Sequence, residues 1–182
     1  MEKYLPTYVF NSIYDIDFNT LYEKGKRVIL FDLDNTIATY NEIEPTNKHI
    51  EFRNKLYDIG FKVYIVSNNN GNRISKFTKK FIIDDFLLSA KKPFPNKTNE
   101  FLEKKKINKN EVIFIGDQIL TDIACANKVG IDSILVKSID RTSEKWYTKI
   151  NRLREKTIVK KLVKKNKPNA KDVLNIITKW GM

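Results

Sequence analysis

Residues 28–36 read VILFDLDNT, a continuous apolar run that ends in two acidic side chains, Asp32 and Asp34. Apolar residues in an unbroken run are typical of a parallel β-strand that is covered on both faces. Comparable runs occupy residues 61–66, 86–88, 111–115 and 133–136. The sequence therefore predicts a mostly parallel sheet of five strands.

Helical patterns lie between these runs. Phe52, Leu56 and Ile59 recur at spacings of four and three, and Gly60 is placed to end that helix. Further helices are expected over residues 73–80, 97–106 and 121–129. Strands that alternate with helices predict an α/β fold, a Rossmann-like three-layer sandwich with right-handed crossovers. In such folds, ligands bind beyond the carboxyl ends of the strands.

Polar side chains follow four of the predicted strands and should meet at this edge of the sheet. In chain order they are Asp32, Asp34 and Thr36, then Ser67 to Asn70, then Lys92, then Asp117 and Asp122. Simpler interpretations exist for each group taken alone. The last two acids could be helix N-caps, residues 67–71 could form only a turn, and Lys92 could be one of many surface lysines.

Carboxylates, a hydroxyl, amides and an ammonium group suit the hydrolysis of a phosphate monoester. The substrate is an anion whose transition state spreads charge over several oxygens, so catalysis depends on positioning and on neutralising charge. A carboxylate nucleophile would be repelled unless a cation lies between the two anions. Mg²⁺ suits this place because it prefers oxygen ligands and is readily shared with a phosphate.

The order of these residues resembles the motifs of phosphatases in the haloacid dehalogenase (HAD) superfamily. DLDNT at residues 32–36 is similar to the DxDxT signature, and GDQILTD at residues 116–122 is similar to the GDxxxxD motif. The resemblance implies that Asp32 attacks phosphorus and forms an aspartyl-phosphate. It also implies that Asp34 acts as general acid and then as general base, and that Thr36 holds the loop.

The same resemblance assigns the remaining polar groups. The Ser67 hydroxyl and the Asn68 amide would bind the phosphoryl oxygens, and Lys92 would neutralise phosphate and orient the nucleophile. Asp117 would bind Mg²⁺ together with the carboxylate of Asp32 and the main-chain carbonyl of Asp34. The last acid of the motif, Asp122, would support the lysine or a metal-bound water.

The segments between the motifs are short. About 30 residues separate Thr36 from Ser67, and about 24 separate Ser67 from Lys92. Each gap has room for one helix and one strand, so neither can contain a cap domain. The sequence therefore predicts an open active site, which suits a large substrate or a headgroup presented on a surface.

Further stretches resemble the YqeG-like family, in the capless subclass IIIA of the superfamily. They include YVFNSIYDID at residues 8–17 and AKKP at residues 90–93, and the resemblance extends from about Pro6 to Lys156. This family is similar to mitochondrial and cyanobacterial phosphatidylglycerophosphate phosphatases. The resemblance therefore implies dephosphorylation of phosphatidylglycerophosphate to phosphatidylglycerol.

The net charge of +12 is concentrated in the last quarter of the chain. Residues 141–182 carry thirteen Lys and Arg against three acidic residues, whereas residues 1–140 are nearly neutral. We expect residues 1–140 to form the phosphatase core with an N-terminal lead-in segment, and residues 141–182 to form a basic helical extension. An anionic partner for this extension would be lipid, nucleic acid or the ribosome, and a merely solvated extension is the alternative.

Within the extension, Trp146, Ile150 and Leu153 follow a helical spacing. Such a basic amphipathic helix can lie in a membrane interface, or its apolar residues can pack on the sheet. Without a signal peptide or an apolar run long enough to span a bilayer, we expect a cytoplasmic protein that can associate peripherally with the inner face of the membrane. Two other functions stay open: a ribosome- or RNA-associated protein of this fold, or a phosphatase of a soluble nucleotide or sugar phosphate.

Two isolated residues have simple interpretations. His49, the single histidine, is expected at the surface, and Cys125, the single cysteine, is expected in the core. A single cysteine excludes an internal disulfide and a zinc cluster of several cysteines.

Overall fold

The computed structural model of the protein describes residues 2–69 and 71–178. Its strands are β1 (Tyr8–Phe10), β2 (Val28–Phe31), β3 (Lys62–Val66), β4 (Asp85–Leu87), β5 (Val112–Gly116) and β6 (Asp132–Val136). They form one sheet in the order β1-β6-β5-β2-β3-β4, and every neighbouring pair is parallel. The predicted α/β fold is confirmed, but the predicted number of strands was wrong.

The sixth strand is β1, which pairs with β6 through Tyr8 opposite Ile134 and Phe10 opposite Val136. It spans three residues and lies at the edge of the sheet. A run this short carries no recognisable apolar periodicity, so pairing with a neighbour distant in sequence is what makes it a strand.

The helices are α1 (Phe18–Glu23), α2 (Asn47–Ile59), α3 (Asn72–Phe81), α4 (Asn96–Lys104), α5 (Ala124–Val129), α6 (Trp146–Lys164) and α7 (Ala170–Thr178). As predicted, α2 ends at Gly60, which has a φ of 108° and therefore adopts the left-handed conformation that glycine tolerates. A single π-helical turn, Ile119–Ile123, precedes α5. Such turns occur frequently at functional sites.

Alternate residues of the central strand β2 face opposite sides of the sheet. Ile29 and Phe31 belong to the apolar cluster that contains residues of α1, α2 and α3. Val28 and Leu30 belong to the cluster that contains residues of α4 and α5, among them Cys125. Helices thus cover both faces of the sheet, which explains the unbroken apolar run and completes the three layers.

The two C-terminal helices pack against the body of the molecule. Val159 of α6 and Val173 of α7 form a third apolar cluster with Leu135 of β6 and with Ile119 and Ile123 of the π-helical turn. Because β5 and the turn that follows it carry the fourth motif, this packing brings α6 close to the predicted active site.

The connections between the central strands are as short as the sequence predicts. Between β2 and β3 the described chain forms α2, and between β3 and β4 it forms α3. Residues 2–69 and 71–178 contain no cap domain inserted at either place. The helices described in this structure also include none with the length and apolar content needed to cross a membrane.

The buried face of α6 differs from the apolar stripe seen in the sequence. Trp146, Ile150 and Leu153 are 73%, 42% and 70% exposed, so of the two alternatives for this stripe the one in which it packs on the sheet is wrong. The residues of α6 that are buried are Thr148, Arg152, Glu155, Val159 and Leu162.

Candidate active site

The carboxyl ends of the central strands bring the predicted polar residues to one cavity. Its volume is about 400 Å³, and the site residues that line it are Asp32, Asp34, Ser67, Asn68, Lys92 and Asp122. Asp117 and Thr36 are buried and are not among the residues that line this cavity. Asn70, which the sequence places in the second motif, lies outside the described residues.

Asp32 follows β2 directly and is 6% exposed. Its Oδ1 accepts a hydrogen bond of 2.7 Å from the ammonium group of Lys92. Burial raises the pKa of the Asp32 carboxyl well above its usual range; the Lys92 charge opposes this shift, and nearby acids reinforce it. A cation bound beside Asp32 would oppose this shift by stabilising the ionised carboxylate.

Lys92 is fixed by three acceptors. Its Nζ lies 2.7 Å from Asp32 Oδ1, 2.8 Å from Asp122 Oδ1 and 2.8 Å from the carbonyl oxygen of Val66. Burial alone would lower the pKa of Lys92, but the two carboxylates outweigh it and raise that pKa above its ordinary value. The ammonium group therefore stays charged and cannot change position without losing a buried partner.

Asn68 positions Lys92 through its side chain. Its Oδ1 accepts from the Lys92 backbone N–H at 2.7 Å, and its Nδ2 donates to the Lys92 carbonyl at 2.9 Å. Both polar groups of the Asn68 side chain are therefore engaged with the backbone of Lys92. The hydroxyl oxygen of Ser67, in turn, accepts from the backbone N–H of Asn69 at 3.1 Å, which holds it at the cavity.

Asp34 has two partners that the motif does not reveal. Asn69 Nδ2 donates to Asp34 Oδ2 at 2.6 Å, and a guanidinium nitrogen of Arg73 donates to Asp34 Oδ1. Arg73 also donates to the carbonyl of Thr39, so α3 is tied to the loop that follows Asp34. Thr36 lies in that loop, where its backbone N–H donates to the carbonyl of Leu33.

A candidate cation site lies between three buried carboxylates. One oxygen from each of Asp32, Asp117 and Asp122 lies within 4.8 Å of the others. Asp117 Oδ1 is buried, and the described residues provide no hydrogen-bond partner for it. A buried anionic oxygen without a partner is costly unless a cation binds there, so this donor set fits Mg²⁺. The carboxylate of Asp34 is held elsewhere, and the predicted ligand from that residue is its main-chain carbonyl.

Gly116 makes room for this arrangement. A Cβ at this position would lie 2.5 Å from both Cβ and Oδ2 of Asp122. That same Oδ2 accepts from the Gln118 backbone N–H at 3.0 Å, so the Asp122 side chain is anchored close to the glycine. The glycine of the fourth motif is therefore required by this close approach.

Comparison with known proteins agrees with the fold and the motifs. The family model described as haloacid dehalogenase-like hydrolase matches residues 38–136. The chain belongs to the haloacid dehalogenase-like hydrolase family. It is also 33% identical over 162 residues to the probable phosphatase YqeG of Bacillus subtilis, covering 89% of this chain and 93% of the relative. The predicted resemblance to the YqeG-like family is thereby confirmed.

Solved structures with low sequence identity share the fold of this HAD-like hydrolase. An uncharacterized protein from Listeria monocytogenes superposes with a TM-score of 0.52 at 21% identity, over 63% of this chain and 84% of the other. A hypothetical protein from Xanthomonas campestris gives a TM-score of 0.51 at 14% identity, over 78% and 79% of the two chains.

In this family member, α6 forms part of the wall of the candidate site. Residues of α6 that line the cavity are Tyr147, Thr148, Asn151 and Arg154. Beneath them, Arg152 is buried and forms ion pairs with Asp117, Glu144 and Glu155. Burial would lower the pKa of Arg152, but these three acids raise it well above its usual value.

No pattern in the sequence marks Arg73 or Arg152 as site residues. Each is one of 34 basic residues in the chain, and both lie within helices rather than directly after a strand. Arg152 lies in the segment that the charge distribution singled out as a possible docking surface. Only the packing of α6 against β6 and the π-helical turn reveals that it reaches the fourth motif.

Proposed function

We propose that the protein is a magnesium-dependent phosphomonoester hydrolase that acts through an aspartyl-phosphate on Asp32. The observation that supports this most is the buried cluster of Asp32, Asp117 and Asp122, in which one oxygen of Asp117 lacks a partner among the described residues. Magnesium held by Asp32, Asp117 and the Asp34 carbonyl would supply the positive charge that lets an anionic nucleophile approach an anionic phosphate.

In the first step, an oxygen of Asp32 bonds to phosphorus and the bond from phosphorus to the leaving oxygen breaks. Asp34 gives its proton to that leaving oxygen. In the second step, Asp34 takes a proton from water, whose oxygen attacks phosphorus, and the aspartyl-phosphate bond breaks to release phosphate and regenerate Asp32. Lys92 neutralises charge throughout, since its three contacts keep it beside the nucleophile.

The phosphoryl oxygens would be bound by the Ser67 hydroxyl and by Asn68. Because the Asn68 side chain is engaged with the backbone of Lys92, its contribution to phosphate binding would come from its backbone N–H. Asn69 and Arg73 each donate to one carboxylate oxygen of Asp34. For Asp34 to reach the leaving oxygen, one of these contacts has to be exchanged for a contact with the substrate.

As substrate we propose phosphatidylglycerophosphate, on the strength of the family resemblance and of three structural features. The described chain has no cap over the cavity. A second groove of about 510 Å³ adjoins the cavity and shares Tyr4, Leu120 and Arg154 with it. This groove also contains Leu153 and Ile158, which offer an apolar surface to a lipid whose phosphate lies in the cavity.

The third feature is the outer face of α6. Trp146, Ile150 and Leu153 are exposed there within a segment rich in Lys and Arg. Aromatic and aliphatic side chains surrounded by basic residues favour the surface of an anionic bilayer. We propose that this face brings the protein to the inner surface of the membrane, next to the lipid substrate.

Phosphate release tests the proposed activity. We would compare phosphatidylglycerophosphate in mixed micelles with a panel of soluble nucleotide and sugar phosphates, with Mg²⁺ and with EDTA. Preferential, Mg²⁺-dependent hydrolysis of the lipid is expected. Preferential hydrolysis of a soluble ester would show that the lipid is not the preferred substrate, and full activity in EDTA would contradict the metal site.

Vesicle binding tests the proposed surface. The full chain should pellet with vesicles containing phosphatidylglycerol, and the Trp146→Ser, Ile150→Ser double variant should pellet much less while hydrolysing a soluble ester normally. The basic extension also favours a second candidate, binding to the ribosome or to RNA, which would be salt-dependent through phosphate contacts. Sedimentation with ribosomes but not with vesicles at matched salt would favour that candidate.

A further inference from the structure

We infer that Arg152 is a positioning residue that holds Asp117 in the rotamer required for magnesium binding. This inference rests on the proposed function, because it assigns Arg152 a role in the metal site proposed above. It makes α6 a component of the catalytic site as well as a possible docking surface.

Arg152 contacts both the side chain and the backbone of Asp117. One guanidinium nitrogen donates to Asp117 Oδ2, and another donates to the Asp117 carbonyl oxygen at 2.7 Å. Two contacts from one rigid planar group to a single residue restrict the rotation of its side chain. The position of the Asp117 carboxylate is therefore fixed by a side chain of α6.

Ser138 reinforces this constraint on the same carboxylate oxygen. Its hydroxyl donates to Asp117 Oδ2 at 2.7 Å and accepts from Arg152 at 2.7 Å. Asp117 Oδ2 thus has two donors, whereas Oδ1 has no hydrogen-bond partner in the described part of the chain. The unpaired oxygen, Oδ1, thus belongs to the same Asp117 that forms the carboxylate cluster with Asp32 and Asp122.

The unequal pairing of the two Asp117 oxygens indicates that Arg152 positions the carboxylate and does not only neutralise its charge. A guanidinium group that only neutralised a carboxylate would gain most by binding both of its oxygens in parallel. Here Arg152 binds one oxygen and the main-chain carbonyl, so the other carboxylate oxygen is buried and unpaired. Leaving it unpaired is unfavourable unless a cation occupies that side.

Two acids hold the guanidinium group in place. Glu144 Oε1 lies 2.7 Å from one nitrogen of Arg152, and Glu155 Oε2 lies 3.3 Å from another. Glu155 also accepts from the Leu120 backbone N–H at 3.0 Å, in the turn that follows Asp117. Outer-shell groups of this kind orient metal ligands, and their removal commonly weakens metal binding by about 10- to 100-fold.

The test measures Mg²⁺ binding to the full metal-free chain by calorimetry. Arg152→Lys keeps the charge but loses the planar donor geometry, so we expect the dissociation constant for Mg²⁺ to rise about tenfold. The concentration of Mg²⁺ that half-activates hydrolysis of p-nitrophenyl phosphate should rise in parallel, with most of the activity restored at high Mg²⁺. Lys156→Gln, an exposed change on the same helix, is the matched control and should bind Mg²⁺ normally.

Ser138→Ala keeps the test decisive if Arg152→Lys does not fold, because it removes a donor to Asp117 without leaving a charge unpaired. It should also weaken Mg²⁺ binding, by a smaller factor. If folded Arg152→Lys and Ser138→Ala both bind Mg²⁺ within twofold of the wild type, Arg152 is only structural and the inference is overturned. A wild-type chain that neither binds Mg²⁺ nor hydrolyses phosphate esters would instead overturn the proposed function itself.

Discussion

Lys92 illustrates, at the scale of single residues, how position along the chain can identify a site residue. By composition it is one lysine among many, yet it is 5% exposed and contacts two carboxylates and a carbonyl. Its place after a strand and before Pro93 made it predictable. Arg73 and Arg152 reach equally important acids from within helices, and no local pattern marks them.

The proposed role of Asp32 as nucleophile gives the most direct prediction. Asp32→Asn should reduce phosphate release by ~10⁴-fold or more, as the loss of a nucleophile does. The fold should persist, because the substitution is nearly isosteric and Lys92 keeps Asp122 and Val66 as partners. Steady-state kinetics and circular dichroism measure the two effects. Asp58→Asn, at an exposed position of α2, is the control, and comparable activities of the two variants would exclude Asp32 as the nucleophile.

The role of Asp34 predicts a dependence on the leaving group. Asp34→Asn should slow hydrolysis of an alkyl phosphate far more than that of an aryl phosphate, because a poor leaving group needs its proton most. The ratio of kcat/KM values for the two esters measures this effect. An equal loss for both esters would argue against Asp34 as the acid.

The close approach at Gly116 predicts that a substitution there lowers both activity and stability, although the glycine itself carries no catalytic atom. Gly116→Ala should displace Asp122 and with it one partner of Lys92, which lowers activity and destabilises the fold by about 1–3 kcal/mol. Denaturant unfolding and phosphate release measure both effects. At Gly71 an added Cβ meets nothing within 4 Å, so Gly71→Ala should have a much smaller effect on stability, and equal destabilisation of the two variants would refute the steric argument.

At the scale of elements, α2 and α6 show what helical periodicity can and cannot predict. Phe52 and Leu56 of α2 are buried, as their spacing predicts. The apolar spacing of Trp146, Ile150 and Leu153 also predicts a helix, but α6 turns those residues outward and buries charged ones. The buried charges have partners on other elements, which periodicity within one helix cannot reveal.

His49, at the start of α2, was expected at the surface, and that expectation was wrong. It is 6% exposed, and its ring lies 5.8 Å from that of Phe77. Its Nδ1 accepts from the Thr46 backbone N–H at 3.1 Å, while its own backbone N–H donates to Thr46 Oγ1, which forms a capping box. A histidine therefore fills the capping role that Glu or Gln usually takes.

Burial lowers the pKa of His49, which predicts how stability depends on pH. Between the folded and unfolded pKa values the unfolded state binds the extra proton, so His49 contributes stability above its unfolded pKa of about 6.5 and this contribution falls as the pH falls. The loss reaches at most about 1.4 kcal/mol per pH unit. The difference between the unfolding free energies of the wild type and of His49→Gln, which retains a capping side chain, separates the contribution of His49 from that of the titrating carboxylates. A difference that does not change between pH 7.5 and 5 would contradict the assignment.

At the scale of the whole molecule, the fold and the order of the site residues were predictable because the chemistry follows consecutive strands of a parallel sheet. The edge strand Tyr8–Phe10 was not predictable, since its three residues gain their structure from β6. The wall that α6 contributes was not predictable either. It depends on the apolar cluster in which Val159 lies with Ile119, Ile123 and Leu135, residues that only the folded chain brings together.

The division of the chain at residue 140 can be tested by truncation. A chain ending at residue 140 would expose Ile119, Ile123 and Leu135 and would lack Arg152. We therefore expect a lower melting temperature, aggregation, and little Mg²⁺-dependent phosphatase activity compared with the full chain. Thermal unfolding and phosphate release provide the comparison, and a stable, fully active truncated chain would show that residues 141–182 form an independent extension.

Helix α6 has two faces of different character. Its inner row grips Asp117 through Arg152, and its outer row presents Trp146, Ile150 and Leu153 to the surroundings. None of the side chains that Arg152 contacts belongs to the outer row, so exchanging Trp146 or Ile150 breaks no contact of the guanidinium group. Where the protein resides can therefore be redesigned without disturbing how Asp117 is held.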